Sequence, residues 1–124
     1  MRLPRRRFER LVARALDGLP PAFASRLANV EILIKRRPSP ADLRAAGLPP
    51  GETLFGLYEG VPLTERTSDY GLVLPDRITL FQEPLEDACA TEGELAEEVR
   101  RTVIHEIAHF FGIDDRRLHE LGAD

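Results

Sequence analysis

Two histidines and a glutamate lie close together near the C-terminal end of the chain, in the segment His105-Glu106-Ile107-Ala108-His109. Residues four positions apart are neighbours on a helix surface. The imidazoles of His105 and His109 can therefore bind one zinc ion, about 2.0–2.1 Å from each nitrogen. Glu106 is displaced from His105 by roughly a quarter of a turn, which suits a general base for metal-bound water rather than a ligand. The spacing thus predicts a catalytic zinc site.

A catalytic zinc site needs a third protein ligand and an open position for water. Gly112 follows His109 by three positions, and glycine readily adopts the left-handed conformation found after helix ends. The chain can therefore reverse there and bring a nearby ligand to the metal. Asp115 comes three residues later and is the first candidate, with Asp114 and His119 as competing candidates. The sequence predicts one Zn²⁺ per chain.

The helix that carries the histidines is predicted to begin after Thr91 and to end before Gly112. Thr91 followed by Glu94 fits a capping box. At about 100° per residue, one face gathers apolar residues that should enter the core: Ala96, Val99, Val103, Ile104, Ile107, Phe110 and Phe111. The opposite side should carry the polar residues Glu98, Thr102, His105 and His109.

The remaining elements predict a small α+β domain. Helical periodicity is found after Pro4, after Pro20-Pro21, over residues 40–46 and over 115–121, whereas strands are predicted at 30–35, 53–59 and 77–82. An acidic connection is expected at 83–90. The polar loop 64–71 contains Tyr70, expected to be an ordinary loop residue, with stabilisation of an oxyanion as the alternative. This order fits one domain, residues 1–124, with helices packed on a small mixed β-sheet.

Length and composition narrow the class of protein. A chain of 124 residues is the size of one domain. No segment approaches the roughly 18 apolar residues of a membrane span, and the basic start, residues 1–7, is not followed by the apolar core of a signal peptide. The single Cys89 excludes an internal disulfide. We therefore predict a cytoplasmic protein with no membrane partner.

The charge is unevenly distributed along the chain. Residues 1–37 carry ten Lys/Arg and three Asp/Glu, whereas residues 38–124 carry seven and eighteen, which together give the net charge of −4. The basic segment has no interleaved aromatic residues and no nucleic-acid-binding motif. It is expected to pair with the acidic part of the protein rather than with nucleic acid. The sequence does not indicate an oligomeric state.

The pattern His105-Glu106-x-x-His109-x-x-Gly112-x-x-Asp115 resembles the extended signature of the metzincin branch of zincin metallopeptidases, with aspartate in place of the third histidine. Some short secreted zincins of the snapalysin type carry this aspartate. The wider chain resembles more closely a family of short bacterial zincin-like proteins, often described as minimal metallopeptidases. The segments that carry this resemblance are 57–66, 74–81, the histidine helix and 115–122.

This resemblance implies a zincin-like α+β fold and a bound zinc ion, with His105, His109 and Asp115 as ligands and Glu106 as the catalytic base. The implied reaction is hydrolysis of peptide bonds in a peptide or protein substrate. Metzincins carry a methionine turn beneath the metal, but Met1 is the only methionine here and nine residues follow Asp115. The floor of the site is therefore expected to be built differently.

Zincins bind extended substrates along an edge strand of the sheet. By analogy, the predicted strand at 77–82 or the one at 53–59 has that role here. The alternative to a peptidase is a catalytically inactive or structural zinc-binding protein of the zincin fold that acts as an interaction module.

Overall fold

The computed structural model describes residues 1–60 and 75–123, so the predicted loop at 64–71 with Tyr70 lies outside the described residues. In chain order the elements are α1 (Arg5–Asp17), α2 (Pro21–Ala24), a 3-10 helix (Ser25–Asn29), β1 (Val30–Lys35), α3 (Pro40–Ala45), β2 (Gly56–Glu59), β3 (Asp76–Phe81), α4 (Gln82–Asp87), α5 (Glu92–Phe111) and α6 (Asp115–Glu120). Of these helices, none has the length and apolar character needed to cross a bilayer. The predicted order is confirmed, with α4 as an addition.

The three strands form one mixed sheet in the order β1-β3-β2. β1 runs parallel to β3, with Val30 opposite Asp76, and β2 runs antiparallel to β3, with Gly56 opposite Leu80. The predicted α+β class with a small mixed sheet is therefore confirmed. Because β3 is the central strand of this sheet, the strand at 77–82 cannot be the substrate-binding edge, and β2 remains as the candidate.

The core lies where the sheet and α1 pack on α5. Phe8 of α1, Ile78 of β3 and Val103 of α5 are each fully buried. A side chain of this kind contributes roughly 1.5–3 kcal/mol when it is fully removed from water. The long helix α5 is thus held from two sides, which fixes the orientation of the face that carries the histidines.

Helix α4 occupies part of the segment that was predicted to be an acidic connection. Its Pro84 lies in the first turn, where a missing N–H costs little. The buried carboxylate of Glu86 accepts a hydrogen bond from the Leu3 N–H at 2.8 Å, and the Gln82 side-chain amide donates to the Leu3 carbonyl at 2.9 Å. The prediction of a connection was wrong because these partners come from the distant N-terminal segment.

Glu83 of α4 joins this helix to the basic residues that follow β1. Its carboxylate accepts hydrogen bonds from Arg36 and Arg37. These two guanidinium groups lower the pKa of Glu83 from 4.5 to about 2. The expectation that the basic N-terminal part pairs with acidic residues is supported by this cluster and by the ion pair of Arg7 with Glu92 at 2.7 Å.

The Glu83 cluster predicts a defined dependence of stability on pH. Because the folded state binds a proton on Glu83 more weakly than the unfolded state does, the stabilisation is complete above about pH 4.5 and is lost as the pH falls toward 2. Glu83→Gln should therefore lower the free energy of unfolding at pH 7, and its difference from wild type should shrink between pH 4.5 and 2. Urea denaturation followed by circular dichroism measures this difference.

The control is Glu9→Gln, at an exposed position of α1. An equal effect of both variants on the free energy of unfolding at every pH would contradict the prediction.

Candidate active site

The ends of α5 are formed by local signals that are visible in the sequence. The Thr91 hydroxyl accepts a hydrogen bond from the Glu94 N–H at 3.1 Å. The Glu94 carboxylate accepts a hydrogen bond from the Ala90 N–H at 2.7 Å, whereas a capping box would have the Thr91 N–H as the donor. This half of the predicted capping box is therefore shifted by one residue. Gly112 ends the helix with a φ of 69°, in the left-handed region. The predicted bounds of the helix are thus confirmed.

Three sides of α5 have different environments. The core side includes Val99, Val103 and Ile107, as predicted, and both histidines are exposed on another side. Thr102 was predicted to lie beside the histidines, but it is buried against β2, where its methyl group faces Gly56. Glu106 follows Thr102 by one turn and also faces β2. The helix therefore presents its glutamate to the sheet edge and its histidines to the exterior.

Glu106 is half-buried and is hydrogen-bonded to the sheet. The backbone N–H of Tyr58, in β2, donates a hydrogen bond to Glu106 Oε1 at 3.0 Å. Burial raises the pKa of the Glu106 carboxyl above its ordinary value of 4.5, and the Tyr58 N–H and the imidazoles of His109 and His105 partly offset this effect. The carboxylate therefore lies in an environment that favours accepting a proton.

The prediction that Phe110 and Phe111 enter the core was wrong. Both side chains are about half exposed, at 47% and 48%. Phe110 lies one turn after Glu106 on the side that faces β2, and its ring stacks on that of Tyr58, with centroids 4.0 Å apart and an angle of 18°. Phe111 packs edge-on against Phe110, and the Arg26 guanidinium lies 5.4 Å from the Phe111 ring centre. These rings form an aromatic surface beside the histidines instead of core contacts.

The chemistry of the histidine pair fits zinc, because two imidazoles one helical turn apart are suitable ligands. In residues 1–60 and 75–123, however, no three His, Cys, Asp or Glu side chains are arranged to hold one ion. Asp115 is the exposed first residue of α6. Asp114 caps that helix, with its Oδ1 accepting the Arg117 N–H at 2.9 Å, and His119 lies exposed within it. The imidazoles of His105 and His109 are ligands of the right chemical type for zinc, and the roles of His105, His109 and Asp115 as metal ligands all stay predictions.

A cavity of about 550 Å³ opens beside Glu106 and His109. Its other walls are formed by β2, by the end of α3, by the segment between them and by Phe110 of α5. Sequence reasoning missed this cavity and the role of the Tyr58 N–H. A backbone donor carries no signature in the sequence, since every residue except proline has one. The apolar residues Leu48 and Leu54, which line the cavity between α3 and β2, gave no periodic pattern in the sequence either.

Close packing of β2 on α5 depends on Gly56. A Cβ at this position would lie 2.8 Å from the Thr102 methyl carbon and 3.3 Å from the Thr79 carbonyl oxygen. Gly56→Ala should therefore destabilise the fold by about 1–3 kcal/mol, as overpacking commonly does. Urea denaturation measures the change, and Gly18→Ala, where the added Cβ meets only an ordinary contact at 3.5 Å, is the control.

A second substitution tests the cause of that destabilisation. Thr102→Ser removes the methyl carbon that the new Cβ would meet, so the double variant Gly56→Ala/Thr102→Ser should lose less stability than the sum of the two single changes. Strict additivity of the two changes in the free energy of unfolding would show that the side chains at positions 56 and 102 do not clash.

Comparison with known proteins places these observations in context. Residues 27–123 match the family described as zincin-like metallopeptidase. The fold is similar to that of a conserved hypothetical protein from Thermo thermophilus, with a TM-score of 0.55 and 23% sequence identity over 88% of this chain and 94% of that chain. No curated protein shows significant sequence similarity to this chain. Since the family match spans most of the chain and includes the histidine helix, the protein belongs to the zincin-like metallopeptidase family.

Proposed function

We propose that this protein is a zinc-dependent peptidase. In this proposal His105 and His109 bind the ion, Asp115 is the third protein ligand, and Glu106 is the general base in the hydrolysis of a peptide or protein substrate. The observation that supports it most is the placement of Glu106, which lies between the two histidines in sequence and is held half-buried by the Tyr58 N–H. Neither a structural metal site nor a binding surface needs a glutamate at this place.

When bound by the imidazoles, zinc supplies a Lewis acid that activates water and polarises a substrate carbonyl. Glu106 takes the proton from the attacking water and then delivers it to the leaving amine. The Tyr58 N–H fixes Oε1 of the carboxylate, and in the described part of the chain no hydrogen bond engages Oε2. In this proposal the second oxygen carries the proton.

The edge position of β2 supports a peptide as the substrate. An extended chain can add to an exposed sheet edge through backbone hydrogen bonds. β2 forms one edge of the sheet built by the described residues, and its Tyr58 lies directly against Glu106. A peptide paired along β2 beside Tyr58, whose own N–H is engaged by Glu106, would therefore run past the proposed base.

One observation favours the second candidate, an interaction module that has lost catalysis. Phe110 and Phe111 expose about half of their surface next to the histidines. Exposed aromatic side chains are enriched where proteins bind one another. In this case Glu106 would have no chemical role, and binding to a partner would not depend on its carboxylate.

Substitution of the proposed base separates the two candidates. Glu106→Gln should retain zinc and lower kcat for peptide hydrolysis by about 10²–10⁴-fold, because the amide cannot accept the proton. The matched control is Glu98→Gln, two turns earlier on the same helix, which removes only a surface ion pair with Arg101. Turnover of a peptide library and zinc content by elemental mass spectrometry are measured together. Unchanged turnover in Glu106→Gln would exclude its role as base.

A further inference from the structure

Strand β1 forms the edge of the sheet that lies opposite β2. All six of its residues pair with β3 on one side. On its other side, an edge strand presents a row of backbone N–H and C=O groups that can pair with a further strand. The candidate active site lies beside β2 rather than β1, so this second edge is a separate surface of the molecule.

Two contacts show which backbone groups of β1 point away from β3. The Val30 N–H donates to the Leu27 carbonyl in the preceding 3-10 helix, and the Ile34 carbonyl accepts a hydrogen bond from the Arg5 guanidinium at 2.8 Å. Backbone groups of alternate residues point to the same edge of a strand, so those of Ile32 also point outward. In the described part of the chain, no backbone group outside the sheet bonds the Ile32 N–H, the Ile32 carbonyl or the Ile34 N–H. These three groups can therefore bond a partner strand.

The side chains on one face of β1 have a symmetric charge pattern. Glu31, Leu33 and Lys35 share that face, because side chains alternate along a strand. Glu31 and Lys35 are exposed and lie two residues to either side of the half-buried Leu33. An antiparallel copy of β1, related by a twofold axis at Leu33, would set each Glu31 opposite Lys35 of the second copy. Opposite charges directly across a strand pair are stabilising, so the exposed edge is complementary to itself.

We propose that β1 pairs antiparallel with β1 of a second copy of this chain, centred on Leu33, and that the two three-stranded sheets thereby form one continuous sheet of six strands. In this register Ile32 lies opposite Ile34 of the second copy, so the outward backbone groups exchange hydrogen bonds. A shift of the second strand by two residues in either direction would place Glu31 or Lys35 opposite Leu33. The charges therefore select the proposed register.

Two contacts at this edge are compatible with the pairing. The Ile34 carbonyl, which now accepts from Arg5, would accept the Ile32 N–H of the second copy, and the exposed Arg5 guanidinium would return to water. Lys35 Nζ lies 3.3 Å from the Asp42 carboxylate, but 49% of the Lys35 side chain is exposed. Because an ammonium group has three donors, it can bond a second carboxylate as well. The pairing leaves the candidate active site open, since β2 lies at the other edge.

Charge reversal at positions 31 and 35 tests this dimer. Glu31→Lys and Lys35→Glu each set like charges opposite one another at both ends of the strand pair. Each variant alone should therefore raise the Kd of self-association by about 10-fold or more. An equimolar mixture of the two variants should form a heterodimer with a Kd close to that of the wild-type dimer, because both cross-strand pairs again join opposite charges. Analytical ultracentrifugation at protein concentrations up to about 1 mM measures these constants.

The mixture and one further variant separate the interface from other effects of charge. Lys35→Glu loses the contact with Asp42 both alone and in the mixture, so recovery in the mixture assigns the effect to the strand pair. Glu97→Lys, on α5, makes the same change of net charge as Glu31→Lys and should leave the Kd as in wild type. A single monomeric species up to about 1 mM would overturn the proposal. Self-association of both edge variants as tight as wild type, or no gain in their mixture, would overturn it as well.

Discussion

The backbone N–H of Tyr58 donates a hydrogen bond to the carboxylate of Glu106, and this contact joins the edge of the sheet to the helix that carries the histidines. It sets the orientation of Glu106, which has a flexible side chain and would otherwise sample several rotamers. Because the site consists of one helix face and one strand edge, the relative position of these two elements determines its geometry.

Several features of the fold maintain that position. Gly56 lets β2 approach the helix to the point where a methyl group would not fit. The Tyr58 hydroxyl donates to the buried carboxylate of Asp76 at 2.7 Å, and the ring of Tyr58 stacks on Phe110 at the end of α5. Tyr58 thus contacts the helix through its backbone and its ring and contacts β3 through its hydroxyl. One residue of the strand connects the proposed base, the aromatic surface and the central strand.

The parts of the fold that were predictable from sequence are those with local causes. The start of α5 at Thr91 and its end at Gly112 depend on side-chain capping and on a left-handed residue, and both signals are present in a few adjacent residues. The histidine pair was predictable for the same reason, because helical spacing alone places both imidazoles on one side.

The features that sequence reasoning missed depend on distant partners. Helical periodicity groups Phe110 with the core residues, but Phe110 stacks on Tyr58 because β2 rather than the core lies beside it. Helix α4 is fixed by Leu3, which lies far away in the sequence. Asp115 as metal ligand depends on the path of the chain beyond Gly112, which spacing cannot determine. The cavity beside Glu106, in turn, combines the end of α3 with β2 and α5, so no single segment reveals it.

The binding of a zinc ion by the histidine helix is tested most directly by the zinc content of protein purified without chelators or metal-affinity resin, measured by elemental mass spectrometry. We expect about one zinc per chain in the wild-type protein and loss of that zinc in His109→Ala. The control variant Glu98→Gln, which leaves both imidazoles intact, should retain the zinc. Absence of zinc in the wild-type protein, with none taken up when zinc is added, would contradict zinc binding by His105 and His109.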